Sequence, residues 1–245
     1  MNGTRSVFKR EFASYFATPL AYVFIVIYLV LSGIFTFYVG GFYERGRADL
    51  EPFFLYQPWL FLFLVPAVAM RLWAEERKTG SIELLVTLPI TLGEAVLGKF
   101  LAVWAFIGIA LALTFPIWIT VNYLGDPDNG VIAASYLGAW LMAGGYLAIG
   151  AAMSALTKNQ VVAFVLAVTM CFLFTVSGLP MVLAFFEGWA PDALVSLIAS
   201  FSFLSHFNTI SRGMIGLADL LYFLSVIALW LFLGRLILEA KKEAG

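Results

Sequence analysis

The chain has 245 residues, of which 62% are hydrophobic and only 12% charged, with a mean hydropathy of +0.97 and a formal net charge of −1. A water-soluble domain of that length could not carry this composition without aggregating, so residues 1–245 read as one all-α polytopic membrane domain. The single cysteine, Cys171, sits inside an apolar run; it excludes an internal disulfide and reads as a small buried hydrophobe.

Residues 1–18 form the first predicted element. Phe8, Phe12, Tyr15 and Phe16 share one face of a helix, Arg10 and Ser14 lie opposite, and Lys9 sits at the boundary where it can snorkel. That pattern predicts a helix lying in the membrane interface before the chain turns inward at Thr18-Pro19. No small-residue cleavage site follows the first apolar run, which therefore reads as a retained span and not a signal peptide.

Apolar runs of spanning length fall at 19–39, 53–73, 100–121, 133–156, 161–182 and 217–238, predicting six transmembrane helices. With the N-terminus in the cytoplasm, Arg5, Lys9, Arg10, Arg71, Arg77, Lys78, Lys99, Lys158, Arg235, Lys241 and Lys242 fall inside, and only Arg45, Arg47 and Arg212 outside. The positive-inside rule then places both termini in the cytoplasm of a multi-pass chain.

Between the second and third runs, charges gather: Arg71, Glu75, Glu76, Arg77, Lys78, Glu83, Glu94 and Lys99. Ser81 can cap a short helix with Glu83 in its first turn, and Pro89 stops it. A helix of about seven residues rises only about 10 Å, too little to span, so it is expected to lie along the cytoplasmic face with Ile82, Leu85 and Leu88 as its apolar stripe. Glu75, Glu76, Arg77 and Lys78 read as a solvated rim that sets register for a partner. Thr91 and Glu94 make a capping box that starts the next helix.

Pro116 is expected to kink the third run near its outer end. The fourth carries small residues at helical spacing (Ala134, Gly138, Gly145, Ala148 and Ala152), a face for close packing against a neighbour in this chain or in a second copy. The link 183–216 is long yet apolar, with Phe185, Phe186, Trp189, Leu194, Leu197, Ile198, Phe201, Phe203 and Leu204, and Asp192 can cap a helix after Pro191. It is expected to re-enter the outer leaflet and cap the outer mouth of the bundle, with Trp189, Phe201, Leu204, His206 and Arg212 as its marker residues.

No run has an ionisable residue in its central turns, which argues against a carrier with its own proton relay. Metal or acid–base catalysis generally wants several His, Asp or Glu together; the one histidine, His206, reads as hydrogen-bonded structure. Glu75-Glu76 is similar to the paired glutamates of intramembrane prenyl-protein proteases, but Gly80 stands where that pattern wants arginine and there is no second histidine. Gly93-Glu-Ala-Val-Leu-Gly-Lys99-Phe100 mimics a phosphate-binding loop, except that Phe100 replaces the magnesium-holding hydroxyl and no strand precedes it. The chain is therefore expected to be no enzyme, with energy arriving through another subunit.

Three stretches resemble the membrane permease subunits of ABC-2 type transporters: Ala74-Glu-Glu-Arg-Lys-Thr-Gly-Ser-Ile-Glu-Leu-Leu-Val-Thr-Leu-Pro89; Gly125-Asp-Pro-Asp-Asn-Gly130 with Tyr136-Leu-Gly138 and Tyr146-Leu-Ala-Ile-Gly150; and Leu204-Ser-His-Phe207 with Ser211-Arg-Gly-Met-Ile215 and Leu221-Tyr-Phe-Leu224. The last two are similar to the gliding-motility-associated (Gld) permease group. The resemblance implies an elbow helix over 1–18, a cytoplasmic coupling helix within 74–90 and external re-entrant helices within 183–216. It makes Glu75, Glu76, Arg77, Lys78, Thr79, Gly80, Ile82, Glu83, Leu85 and Leu88 the ATPase-coupling residues, and Gly138, Gly145, Ala148 and Ala152 a helix-packing face.

The partners it implies are two copies of a cytoplasmic ABC ATPase, a second permease chain (identical or related), membrane lipids and, since the first external link at 40–51 is short, a separate membrane subunit bearing any external domain; nucleic acid is not expected. The chain itself is expected to hold no cofactor, ATP and magnesium being bound by the ATPase. The implied activity is export of an amphipathic or polymeric cargo across the cell inner membrane. The alternative is a mechanotransmitter that relays ATPase motion to an external partner while nothing crosses.

Overall fold

A computed structural model describes residues 3–80 and 90–243, and among them every regular element is helical. The predicted short helix carrying Ile82, Glu83, Leu85 and Leu88 lies outside the described residues. Helix α1 (Gly3–Ala17) precedes α2 (Pro19–Gly33), with Pro19 in its first turn, where the missing N–H costs nothing; α2 ends in a π-helical turn, Ile34–Val39. Helix α3 (Glu51–Ala69) runs on into α4 (Arg71–Thr79) with only Met70 between them. There follow α5 (Leu92–Ala112), α6 (Phe115–Leu124), α7 (Asn129–Leu156), α8 (Gln160–Val176), α9 (Pro180–Glu187), α10 (Asp192–Ser200), α11 (Phe203–Ser211) and α12 (Leu217–Glu243).

Five helices or continuous pairs are long and apolar enough to cross a bilayer: Pro19–Val39, Glu51–Thr79, Leu92–Leu124, Asn129–Leu156 and Leu217–Lys241. The predicted fifth run, 161–182, is not one helix. It breaks after Val176 and restarts at Pro180 with an 84° bend, because a proline has no N–H to continue the ladder. A second bent pair, α10 with α11, turns by 62°, so the described residues offer five helices long and apolar enough to span, or up to seven if each bent pair crosses as one.

The capping box at Thr91 and Glu94 is present, with both reciprocal hydrogen bonds made. Pro116 acts as expected: α5 stops at Ala112 and α6 restarts with that proline in its first turn. Asp192 does not cap α10. Pro191 holds the cap position and Asp192 falls inside the first turn, where it complements the helix dipole without a side-chain bond. Besides Thr91, Asp128 caps α7, Asn159 caps α8 and Ser202 caps α11.

Helix α7 is the centre of the bundle: 89% of its most apolar window is buried, against 28% for α2 and for α12. Its small residues explain this, and they settle which neighbour they serve. A Cβ added at Gly138 would meet Ile210, one at Gly145 would meet Phe203, and one at Gly150 would meet the Cβ of Ala69; Ala148 and Ala152 are fully enclosed, with Gly234 of α12 against Ala152. The stripe is filled from within the chain by α11, α12 and α3, so it is not the face left for a second copy. Trp104 of α5 and Trp140 of α7 stack at 4.2 Å and each donates its indole N–H to the other's carbonyl, at 2.9 and 3.2 Å.

Candidate functional site

The start of α1, the end of α4, the start of α5 and the ends of α7 and α12 converge at one end of the bundle. The chemistry there centres on Lys99, in the second turn of α5. A cation there is costly to desolvate unless paired, yet Lys99 is only 3% exposed. Its ammonium lies 2.7 Å from Glu76 of α4 and 3.2 Å from Glu11 of α1, over the face of Trp73 at 5.3 Å. One side chain thus ties three helices together.

Glu11 also pairs with Arg10 at 2.7 Å. Burial works to raise its carboxyl pKa, but Lys99 and Arg10 outweigh it and hold the group below its ordinary value of 4.5. In the same wall Arg71 grips Glu75 through two bonds, 2.8 and 3.2 Å, one turn apart on the helix. Glu11, Tyr15, Arg71, Glu75, Glu76 and Lys99 line a cleft of about 240 Å³.

The α3–α4 junction is held by α7. Ser154 accepts hydrogen bonds from the N–H groups of Trp73 and Ala74 (3.1 and 3.0 Å) and donates to the Met70 carbonyl (2.8 Å), satisfying groups that the break at Met70 would otherwise orphan. Arg77 donates to the Ala155 carbonyl at 2.6 Å, closing the last turn of α7. Thr79 donates back to the Glu75 carbonyl, and α4 ends at Gly80 in the left-handed region (φ 73°), where glycine carries no steric penalty.

The predicted coupling residues thus divide. Glu75, Glu76, Arg77 and Thr79 are the bonded final turns of a helix continuous with a span, Lys78 alone of the predicted rim is exposed, Gly80 ends the helix, and the remainder lie outside the described residues. The expectation of a solvated, individually weak rim fails for Glu76 and Arg77, because α5 and α7 supply them with partners and shield them from water. Sequence reading missed that Lys99 is the partner of Glu76, shared with Glu11, and that the Ala155 carbonyl is the partner of Arg77; the available signal was a lone lysine two turns inside an apolar helix, facing two acids on elements that must meet it.

At the opposite end, His206 of α11 bridges to α12. Its Nδ1 is 2.6 Å from the Asp219 carboxyl and its Nε2 3.0 Å from the Ser200 carbonyl, while its ring stacks on Tyr222 at 3.9 Å. The Ser200 carbonyl can only accept, so Nε2 is the donor there and Nδ1 is the nitrogen that faces Asp219. The structural reading of the lone histidine holds. Of the other marker residues, Trp189, Phe201 and Arg212 are exposed and Leu204 is half-buried; the anchors are Phe203 and Phe207, seated against Gly145 and Gly138. Asp219 was missed, although a lone carboxylate opening an apolar run was visible.

Among the described residues no group of three His, Cys, Asp or Glu could hold a metal ion. Residues 9–241, nearly the whole chain, match the family described as ABC-2 family transporter protein. No curated protein matches the chain. The chain belongs to the ABC-2 transporter family, whose members are multi-pass membrane subunits that partner an ABC ATPase and often dimerise.

Proposed function

With that membership as premise, we propose that this chain is the permease subunit of an ATP-driven exporter of the inner membrane, pairing with a second permease and two cytoplasmic ATPases. In this reading the Lys99 end faces the cytoplasm, which the positive-inside distribution of Lys and Arg supports. The segment 81–89 engages the ATPase, and ATP and magnesium stay in that partner. Within the family, the resemblance of the motifs over 125–150 and 204–224 supports a reading as a relative of the gliding-motility-associated group.

The observation that carries this reading is the continuity at the Lys99 end. A push on 81–89 enters α4, which is the end of the 29-residue helix Glu51–Thr79; through Glu76 and Lys99 it reaches α5 and α1, and through Arg77 and Ser154 it reaches α7. Displacement of one short segment therefore moves four helices as a unit, as alternating access requires. Apolar, charge-free span centres suit an amphipathic cargo better than an ion.

Leu85→Asp tests this. Burying one leucine in a partner contributes about 1.5 to 3 kcal/mol, and an aspartate there would put an unpaired charge in the contact. Membrane abundance should stay near wild type while ATPase co-purification and coupled turnover collapse; loss of abundance with normal coupling in what remains would show that 81–89 serves folding.

A further inference from the structure

At the His206 end, the starts of α3 and α7 and the end of α11 enclose a cavity of about 440 Å³, within the range that small-ligand sites occupy. Its floor is apolar, with the buried rings of Phe54 and Phe207. Leu55, 52% exposed on a helix long and apolar enough to span, lines one side.

Its rim carries both signs of charge. Asp49 and Asp128 each use one oxygen on backbone N–H groups at the start of a helix, the first on Glu51 and the second on Gly130 and Val131; among the described residues nothing bonds their second oxygens. Glu51, also on the rim, is already neutralised by Arg45. The Arg212 guanidinium has no ion pair or hydrogen bond among the described residues, although it lines the same cavity as two under-used carboxylates. Free acceptors and a free guanidinium around one apolar-floored cavity call for a ligand that brings a donor cation, an anion and an apolar body together.

We propose that this cavity binds the headgroup of a zwitterionic phospholipid: the phosphate on the Arg212 fork, the primary ammonium on Asp49 and Asp128, and the acyl chains leaving over Leu55. A quaternary ammonium has no N–H to give the carboxylates, and an anionic headgroup would face them unpaired. The site is remote from the Lys99 end, so its failure leaves the permease reading untouched.

The test is lipid retention by the purified full-length chain in mild detergent, measured by native mass spectrometry against phosphatidylethanolamine, phosphatidylcholine and phosphatidylglycerol. Wild type should retain phosphatidylethanolamine about tenfold better than either of the others, and Arg212→Gln or Asp49→Asn should each remove that preference. Asn keeps the acceptor for the Glu51 N–H, and Arg212 is exposed, so both variants should melt like wild type without lipid. Soluble phosphoethanolamine should not displace the lipid. Equal retention of the three lipids, a preference for phosphatidylglycerol, survival of the preference in both variants, or displacement by phosphoethanolamine would each overturn the proposal; the wild-type ranking decides even if a variant misfolds.

Discussion

Replacing Lys99 with methionine tests the ionic tie most sharply. The change keeps the length of the side chain and its packing on Trp73 but leaves Glu11 and Glu76 facing each other, with side chains only 15% and 21% exposed. Removing one partner of a buried pair typically costs about 3 to 5 kcal/mol, roughly two to four powers of ten in the folding equilibrium. The cost comes from stranded carboxylates, so it should be repairable: Lys99→Met with Glu11→Gln and Glu76→Gln should recover most of it. The pH dependence should also change: with Lys99 gone, Glu11 keeps only Arg10 to hold its carboxyl down against burial, so the single variant should lose less stability on acidification than wild type. Unfolding in mild detergent, followed as a function of pH, reads all three proteins. A single variant within about 1 kcal/mol of wild type, or a triple variant no better than the single, would refute the reasoning.

Glu11→Gln alone should flatten the acid limb of wild type: its carboxyl is held below 4.5, so its contribution is complete above that pH and is lost as pH falls through the lower folded value, and an unchanged acid limb would count against the pairing. Gly150→Ala should cost about 1 to 3 kcal/mol, because its Cβ would sit 2.5 Å from that of Ala69 on a packed helix, whereas Gly33→Ala, with nothing within 4 Å, should stabilise by about 0.5 to 1 kcal/mol; thermal melts compare the two. His206→Phe keeps a ring against Tyr222 but strands Asp219, which is 8% exposed, so α11 should lose about 1 to 3 kcal/mol of protection in hydrogen exchange, and unchanged protection would show the bridge to be idle.

Local signals read through to structure where they depended on neighbours in sequence. Residues 3–17 do form a helix, although its buried side is Gly3 and Val7, and of the aromatic stripe only Tyr15 and Phe16 reach the core, on Phe106; Thr91 and Glu94 cap α5, and Pro116 divides α5 from α6. What depended on distant partners did not. Hydropathy could not show that 161–182 bends by 84°, because an apolar run reads alike whether it crosses or folds back. Small residues on α7 announced close packing but not with whom; only the arrival of Phe203, Phe207 and Ile210 from α11, Ala69 from α3 and Gly234 from α12 decides that. At the candidate site the charges of α4 were visible and their partners were not. Lys99, which pairs with Glu76, and Glu11, which shares that lysine, lie 23 and 65 residues from Glu76 in the chain, beyond the reach of any periodicity.

The central claim, that this chain forms a path powered by a separate ATPase, is tested most directly by the mass and activity of the complex that co-purifies with it in mild detergent. The account predicts two permease chains with two ATPase chains, ATP hydrolysis by that assembly, and none by the isolated 245-residue chain. Hydrolysis by the isolated chain, or an ATPase-active assembly containing a single permease, would contradict it.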